Sequence, residues 1–284
     1  MTALAGGGRS RPYADEVGAA AYAVSADGWS PYDTVYDLGS PREPRRTYLV
    51  ATTQRSGSHL LAHSLAHHGA GVPLEYANPF LAEIELMRRG QEVTVDARRA
   101  LLEEVRSRRT TPDGLFGLKA HWHHWEGVLG DEVRLRLLEP RAVIHVHRRD
   151  ILSQAVSLAF SRRTGSWISF HARRPLDPGV FDAAAIDDAL AVIAHEQHAW
   201  EAWFDRAGLS PLRLCFDHIV ADPERISVMA AEFLGAGSFT PARAKVPLAL
   251  PQRQDDDVKR EWLALARLEF GPQEASCPRA ACCA

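Results

Sequence analysis

The stretch TYLVATTQRSGSHLLAHSLAHHG, residues 47–69, decides the fold. TYLVATT is a continuous apolar, β-branched run, the pattern of a strand buried on both faces of a parallel sheet. HLLAHSLAHHG follows with apolar residues at helical spacing and closes on Gly69, a natural helix stop. Between them lies Gln54-Arg55-Ser56-Gly57-Ser58. Gly57 permits close backbone approach, and the amides from Ser56 to Leu60 stand at a helix N-terminus, where unpaired N–H groups and the helix dipole favour an anion. Ser56 and Ser58 can add hydroxyl donors, and Arg55 a permanent charge. The plainer reading makes Ser58 the N-cap of a helix that holds nothing. The loop lacks the GxxxxGKS or GxxxxGKT pattern of a nucleotide triphosphatase, so these residues leave open which anion it takes.

Outward from this unit the alternation continues. LFGLKAHW (115–122), AVIHVHR (142–148) and LRLCF (212–216) read as three further strands. Helices are expected at Leu152–Ser161, Asp182–Ala207, which carries Trp200 and Trp203, and Pro223–Leu234. Strands alternating with helices predict an α/β fold with a central parallel sheet covered on both faces. Residues 1–45, rich in Gly, Pro, Ser and Arg, read as an irregular N-terminal arm with a short helix around Glu16–Val24. Residues 46–265 form the domain, with 80–113 and 162–181 as insertions, and 266–284 are expected to be a flexible tail.

Composition narrows the class. A chain of 284 residues with 46% hydrophobic and 24% charged residues can bury one sizeable core. The formal charge of −3 gives no support to bulk nucleic-acid binding, yet leaves room for a local basic site for one small polyanion. Nothing reaches the apolar length that spans a bilayer, and the N-terminus has no secretory h-region, so a cytoplasmic chain is expected. Cys215 sits in a strand-like run and reads as a buried thiol; Cys277, Cys282 and Cys283 match no zinc spacing. The basic residues are almost all arginine, with lysine at 119, 245 and 259 alone.

A second segment, HRRDILSQAVSLAF (147–160), puts Arg148 and Arg149 at the C-terminal end of a strand, where open α/β sheets bind ligands. Asp150 caps the following helix, and Ser153 and Ser157, four apart, share one face of it. An arginine at the strand end and a serine in the helix can grip a second phosphate; a surface Arg–Asp pair with two solvated serines is the alternative.

The two segments together resemble sulfotransferases that use 3′-phosphoadenosine-5′-phosphosulfate (PAPS), and in particular the bacterial trehalose 2-sulfotransferase-like family. QRSGSHLL is similar to their 5′-phosphosulfate loop and HRRDILSQAVS to their 3′-phosphate motif. The likeness runs in order through GAGVPLEYANPF (69–80), GLFGLKAHWHH (114–124), RRTGSW (162–167), the Trp200/Trp203 helix, FDHIVADPE (216–224) and RQDDDVKREW (253–262). It implies a three-layer α/β/α, P-loop nucleotide-kinase-like fold. It also implies that Arg55, Ser56, Gly57 and Ser58 wrap the 5′-phosphosulfate, with His59 standing where the family usually has threonine. Arg148 and Ser157 would hold the 3′-phosphate, helped by Ser153 and Arg149, and Arg253 matches a recurrent late arginine. The cofactor pair implied is PAPS and its product adenosine 3′,5′-bisphosphate (PAP). No metal is required, since helix amides, arginine and lysine supply the positive field.

Two residues compete to be the base. Glu75, in VPLEYANP, matches the catalytic glutamate of the trehalose enzymes, and desolvation is expected to raise its pKa toward a working value. Lys119-Ala-His121 has the Lys-x-His spacing of the cytosolic animal sulfotransferases, whose histidine is the base, and strand alternation puts Lys119 and His121 on one face. His123 and His124 read as packing, and HxHH on an extended segment has no partner set for zinc. Trp122, Trp125 and Trp167 are either acceptor surface or core. The expected partner is a small-molecule hydroxyl: a sugar, a glycolipid or a secondary metabolite. The N-terminal arm is a candidate to cover that pocket or to mediate a homodimer. The competing readings are a P-loop-like small-molecule kinase and a nucleotide-binding module without catalysis.

Overall fold

A computed structural model describes residues 30–127, 142–167, 179–236 and 257–273. Its centre is a four-stranded, wholly parallel sheet made of β1 (Arg46–Thr52), β2 (Leu115–His121), β3 (Ala142–His147) and β4 (Leu212–Cys215), in the order β2-β1-β3-β4. The helices are α1 (Ser58–His67), α2 (Pro79–Arg88), α3 (Val95–Arg108), α4 (Trp122–Gly127), α5 (Ile151–Thr164), α6 (Ala183–Ala207), α7 (Phe216–Ala221), α8 (Pro223–Phe233) and α9 (Asp257–Phe270). Of the two expected insertions, 80–113 is mostly the α2–α3 pair, and α5 runs three residues past the expected Ser161 into the second.

Alternation along β1 splits the core into two layers. Leu49 and Ala51 face Phe116, Leu118, Trp200 and Phe204, whereas Tyr48 and Val50 face Leu61 and Leu65 of α1 and Ile226 of α8. A third cluster packs α5, α6 and α9 together through Leu158, Ile193 and Trp262. Residues 30–45 hold one 3-10 turn at Thr34–Tyr36, and Tyr32 and Tyr36 are buried in the first of these cores. Arg109, 1% exposed, fastens this segment by donating to the Pro31 and Asp33 carbonyls and to Asp37 Oδ1, each at 2.9 Å. Among the described residues no helix is long and apolar enough to cross a membrane. The expected helix around Glu16–Val24, Arg253 and the three tail cysteines lie outside the described residues.

Register decides where chemistry can gather. Thr52 pairs with both His121 and Val146, and His147 pairs with Cys215, so the segments leaving all four strands emerge along one edge. From β1 the chain first steps outward to β2, then crosses back to β3 and β4. The crevice between the ends of β1 and β3 is thus the topological switch point, where open α/β sheets take their ligands.

Candidate active site

The loop after β1 is held from three sides. Trp200 Nε1 donates to the Thr52 carbonyl at 3.0 Å, and Gln154 Nε2, fully buried on α5, donates to Thr53 Oγ1 at 2.7 Å and to the Gln54 carbonyl at 2.6 Å. Ser56, 0% exposed, turns inward: its hydroxyl donates to the Thr53 carbonyl at 2.9 Å and lies 2.5 Å from Thr52 Oγ1. It braces the loop instead of standing free toward an anion. Gly57, at φ 84°, is the N-cap of α1, and Ser58 is the first helical residue, so the expectation of Ser58 as cap is corrected. A side chain there would be strained, because a Cβ would meet Phe216 Cδ2 at 2.6 Å and force that ring to shift. Arg55 also takes a left-handed conformation, φ 63°, the sole non-glycine residue to do so among those described. Such backbone strain persists where surrounding contacts over-determine it.

Those contacts form a cationic cluster over α5. Arg55 Nε donates to Ser157 Oγ at 2.9 Å, and its Nη1 donates to the Trp167 carbonyl. Burial first, then the nearby Arg148, bring the Arg55 pKa down to about 10, so it remains charged at neutral pH. Arg148 donates to Ser153 Oγ at 2.5 Å, and its guanidinium lies 4.3 Å from the centre of the Phe216 ring. Asp150 does cap α5, accepting from the Ser153 amide at 2.8 Å. Arg149 turns away to an exposed pair with Asp217 at 3.0 Å, which fits the plainer surface reading. Lys259, which the sequence did not single out, donates from α9 to the same Ser157 oxygen at 2.9 Å. The available signal was rarity, since two of the chain's three lysines stand at this edge.

Beside this cluster, Glu75 is fixed by its backbone neighbours. The Lys119 amide donates to the Leu74 carbonyl at 3.0 Å, continuing the ladder beyond β2. Tyr32 Oη donates to the Tyr76 carbonyl at 2.8 Å, and Asn78, which caps α2, gives its Nδ2–H to Glu75 Oε2 at 3.0 Å. On the other carboxylate oxygen three groups converge: the Lys119 ammonium, His121 Nε2 at 3.3 Å and His59 Nε2 at 3.4 Å. Burial pushes the Glu75 carboxyl upward, but Lys119 and His121, with the hydrogen bonds from His121 and His59, outweigh it and hold the pKa well below the ordinary carboxylate range. The expected upward shift is therefore corrected: Glu75 is ionised, its charge met by the Lys119 ammonium with two imidazoles beside it. Burial likewise lowers the Lys119 pKa, against the pull of Glu75. His59 is brought down to about 3 by burial and by Lys119, so a neutral imidazole stands where the family's threonine would be. Lys119 and His121 do share one face, as alternation implies. The histidines after them are not on an extended segment, because α4 begins at Trp122. Trp122 and Trp125 belong to the core with Trp200, and Trp167 packs on the α5–α9 cluster. Cys215 is buried and free.

A sheet edge carrying two arginine-bearing loops, a lysine and a charge-matched carboxylate suits group transfer from an anionic donor, and comparison with known proteins gives the class. Residues 47–269 match the Stf0 sulphotransferase family, and the chain belongs to it. Membership places it among enzymes and sets aside both the kinase and the non-catalytic module. Among relatives, the chain is 28% identical over 261 residues to trehalose 2-sulfotransferase of Mycobacterium tuberculosis (strain Erdman), covering 79% of this chain and 95% of that one. It is 26% identical over 257 residues to trehalose 2-sulfotransferase of Mycolicibacterium smegmatis, covering 76% and 92%. The solved sulfotransferase domain of the Synechococcus PCC 7002 olefin synthase matches at 16% identity and a TM-score of 0.40, over 87% of this chain and 94% of that one.

Proposed function

We propose that this sulfotransferase moves the sulfuryl group of PAPS in line to a hydroxyl of a small-molecule acceptor, with Glu75 as the base. The observation that carries the reading is the convergence of Lys119, His121 and His59 on one Glu75 oxygen, next to the Arg55–Ser157–Lys259 cluster. In this reading Arg55, the backbone of Ser56–Ser58 and Lys119 face the 5′-phosphosulfate. Arg148, Ser153, Ser157 and Lys259 take the 3′-phosphate, and Arg253 joins from outside the described residues. Attack by the acceptor oxygen forms the new O–S bond while the bond from sulfur to the bridging phosphate oxygen breaks. The acceptor proton passes to Glu75, and PAP leaves. Arginine, lysine and helix amides supply the charge stabilisation, aimed where negative charge develops on the leaving oxygen.

His121 is the second candidate base, because its Nε2 is 3.3 Å from the same carboxylate oxygen and Glu75 could orient it. Trehalose is the first acceptor to test, as the substrate named for the two mycobacterial relatives. The experiment is transfer of labelled sulfate from PAPS to trehalose, to other sugars and to glycolipids, together with melting curves. PAP should raise the Tm in proportion to its excess over Kd, and Lys259→Ala should weaken that shift. Stabilisation by ATP with magnesium but not by PAP would refute the donor.

A further inference from the structure

At this edge the two candidate bases, Glu75 and His121, are joined by a third side chain, His124, for which the transfer reaction gives no role. A Glu75 oxygen and one ring nitrogen each from His121 and His124 all lie within 4.8 Å of one another. One edge of this triangle, His121 Nε2 to Glu75 Oε1, is 3.3 Å. Two ligands at about 2.0–2.1 Å from a tetrahedral zinc ion stand about 3.4 Å apart, so this edge is already of tetrahedral size. His121 and His124 are 5% and 3% exposed, their ring centres are 5.1 Å apart, and Nδ1 of each lacks a hydrogen-bond partner. Buried polar nitrogens left this way are costly, although in His121 it is the other ring nitrogen, Nε2, that faces Glu75.

We propose that Glu75, His121 and His124 form a three-ligand site for a divalent transition-metal ion such as zinc, and that its occupancy switches the enzyme off. Two imidazoles and one carboxylate suit zinc, cobalt or nickel and not magnesium, which prefers all-oxygen shells. A fourth position is left for water. The ion competes with the Lys119 ammonium for the Glu75 carboxylate. The site itself stands apart from the donor chemistry; the inhibition rests on Glu75 or His121 serving transfer.

Cobalt(II) is the probe, since a tetrahedral site gives it an intense visible band. The full chain should bind one equivalent with that band, and zinc should displace it. Replacing His124 by Gln, or by Asn if the first variant does not fold, should weaken binding at least tenfold. The rival for stray metal is the exposed pair His195 and His198, one turn apart on α6, so H195A/H198A should keep the band. Absence of the band in the unaltered chain, or its survival in H124Q, overturns the site. Zinc should also inhibit transfer, reversibly with a chelator, and at least tenfold less potently in H124Q. A band without inhibition keeps the site and overturns its coupling to the reaction.

Discussion

Replacing Glu75 by glutamine should separate its electrostatic role from its chemical one. Lys119 is 0% exposed and its ammonium is paired with Glu75, so the substitution strands a buried charge. Breaking a buried pair from one side costs about 3–5 kcal/mol. Lys119 has a way out, because it can give up its proton. Neutralising an ordinary lysine costs about 4.6 kcal/mol at pH 7 and about 1.9 kcal/mol at pH 9, which caps the penalty. The sign follows from linkage: in the variant the unfolded chain binds a proton that the folded chain sheds, so stability recovers as pH rises. At roughly 0.6 kcal/mol/K of unfolding entropy for a chain of this length, E75Q should lower the Tm by about 5–8 °C at pH 7 and by about half as much or less at pH 9. E75Q/K119M should regain much of the loss, since it removes the stranded charge. Transfer should fall by about 10²–10⁴ in E75Q at both pH values, the usual worth of a positioned base. Scanning calorimetry and a sulfate-transfer assay on the same preparations read both effects. An E75Q variant as stable as the parent at pH 7, or a double variant no better than the single, would refute the charge argument. Transfer within tenfold of the parent would refute Glu75 as base and move the assignment to His121.

Acid should destabilise the fold well before its carboxylates titrate. Mainly through burial, His59 is brought down to about 3, and His63 and His147 to about 4. Unfolded histidine titrates near 6.5, so stability should fall between about pH 6.5 and 4, by up to about 1.4 kcal/mol per pH unit for each residue. Melting curves from pH 7 to pH 5 test this, with H63L expected to flatten the slope; a level profile would contradict it. Gly57→Ala meets both a φ of 84° and the Phe216 ring 2.6 Å from the new Cβ. It should cost about 1–3 kcal/mol and weaken PAP binding, and adding F216L should recover the steric part but not the backbone part. Full stability in G57A by calorimetry would show that the loop relaxes freely.

The four strands and the parallel sheet were legible in the sequence because burial on both faces leaves nearly uninterrupted apolar runs, as in TYLVA and AVIHV. Asp150 as a cap and Ser153 with Ser157 on one helix face followed from local rules, and the structure brings both serines to arginines. Other features needed distance in sequence. Ser56 looked like a free donor until the fold turned it onto Thr53, and Ser58 lost the cap to Gly57 because the loop enters α1 through a left-handed turn. Lys259 reaches Ser157 across 102 positions, and no periodicity anticipates such a contact.

Glu75 draws the line between the two kinds of information. The resemblance of VPLEYANP to the motif of the trehalose enzymes marked it as a candidate base. Its protonation does not follow from local sequence, because burial alone argues for a raised pKa. The sign reverses only when the sheet brings Lys119 and His121 of β2, and His59 of α1, onto one carboxylate oxygen. Sequence by itself determined the four strands, the main helices between them and which residue types reach the sheet edge, since propensity and periodicity are local. The tertiary structure decided the charges those residues carry, since electrostatic energy in a buried site depends on partners that only folding brings together.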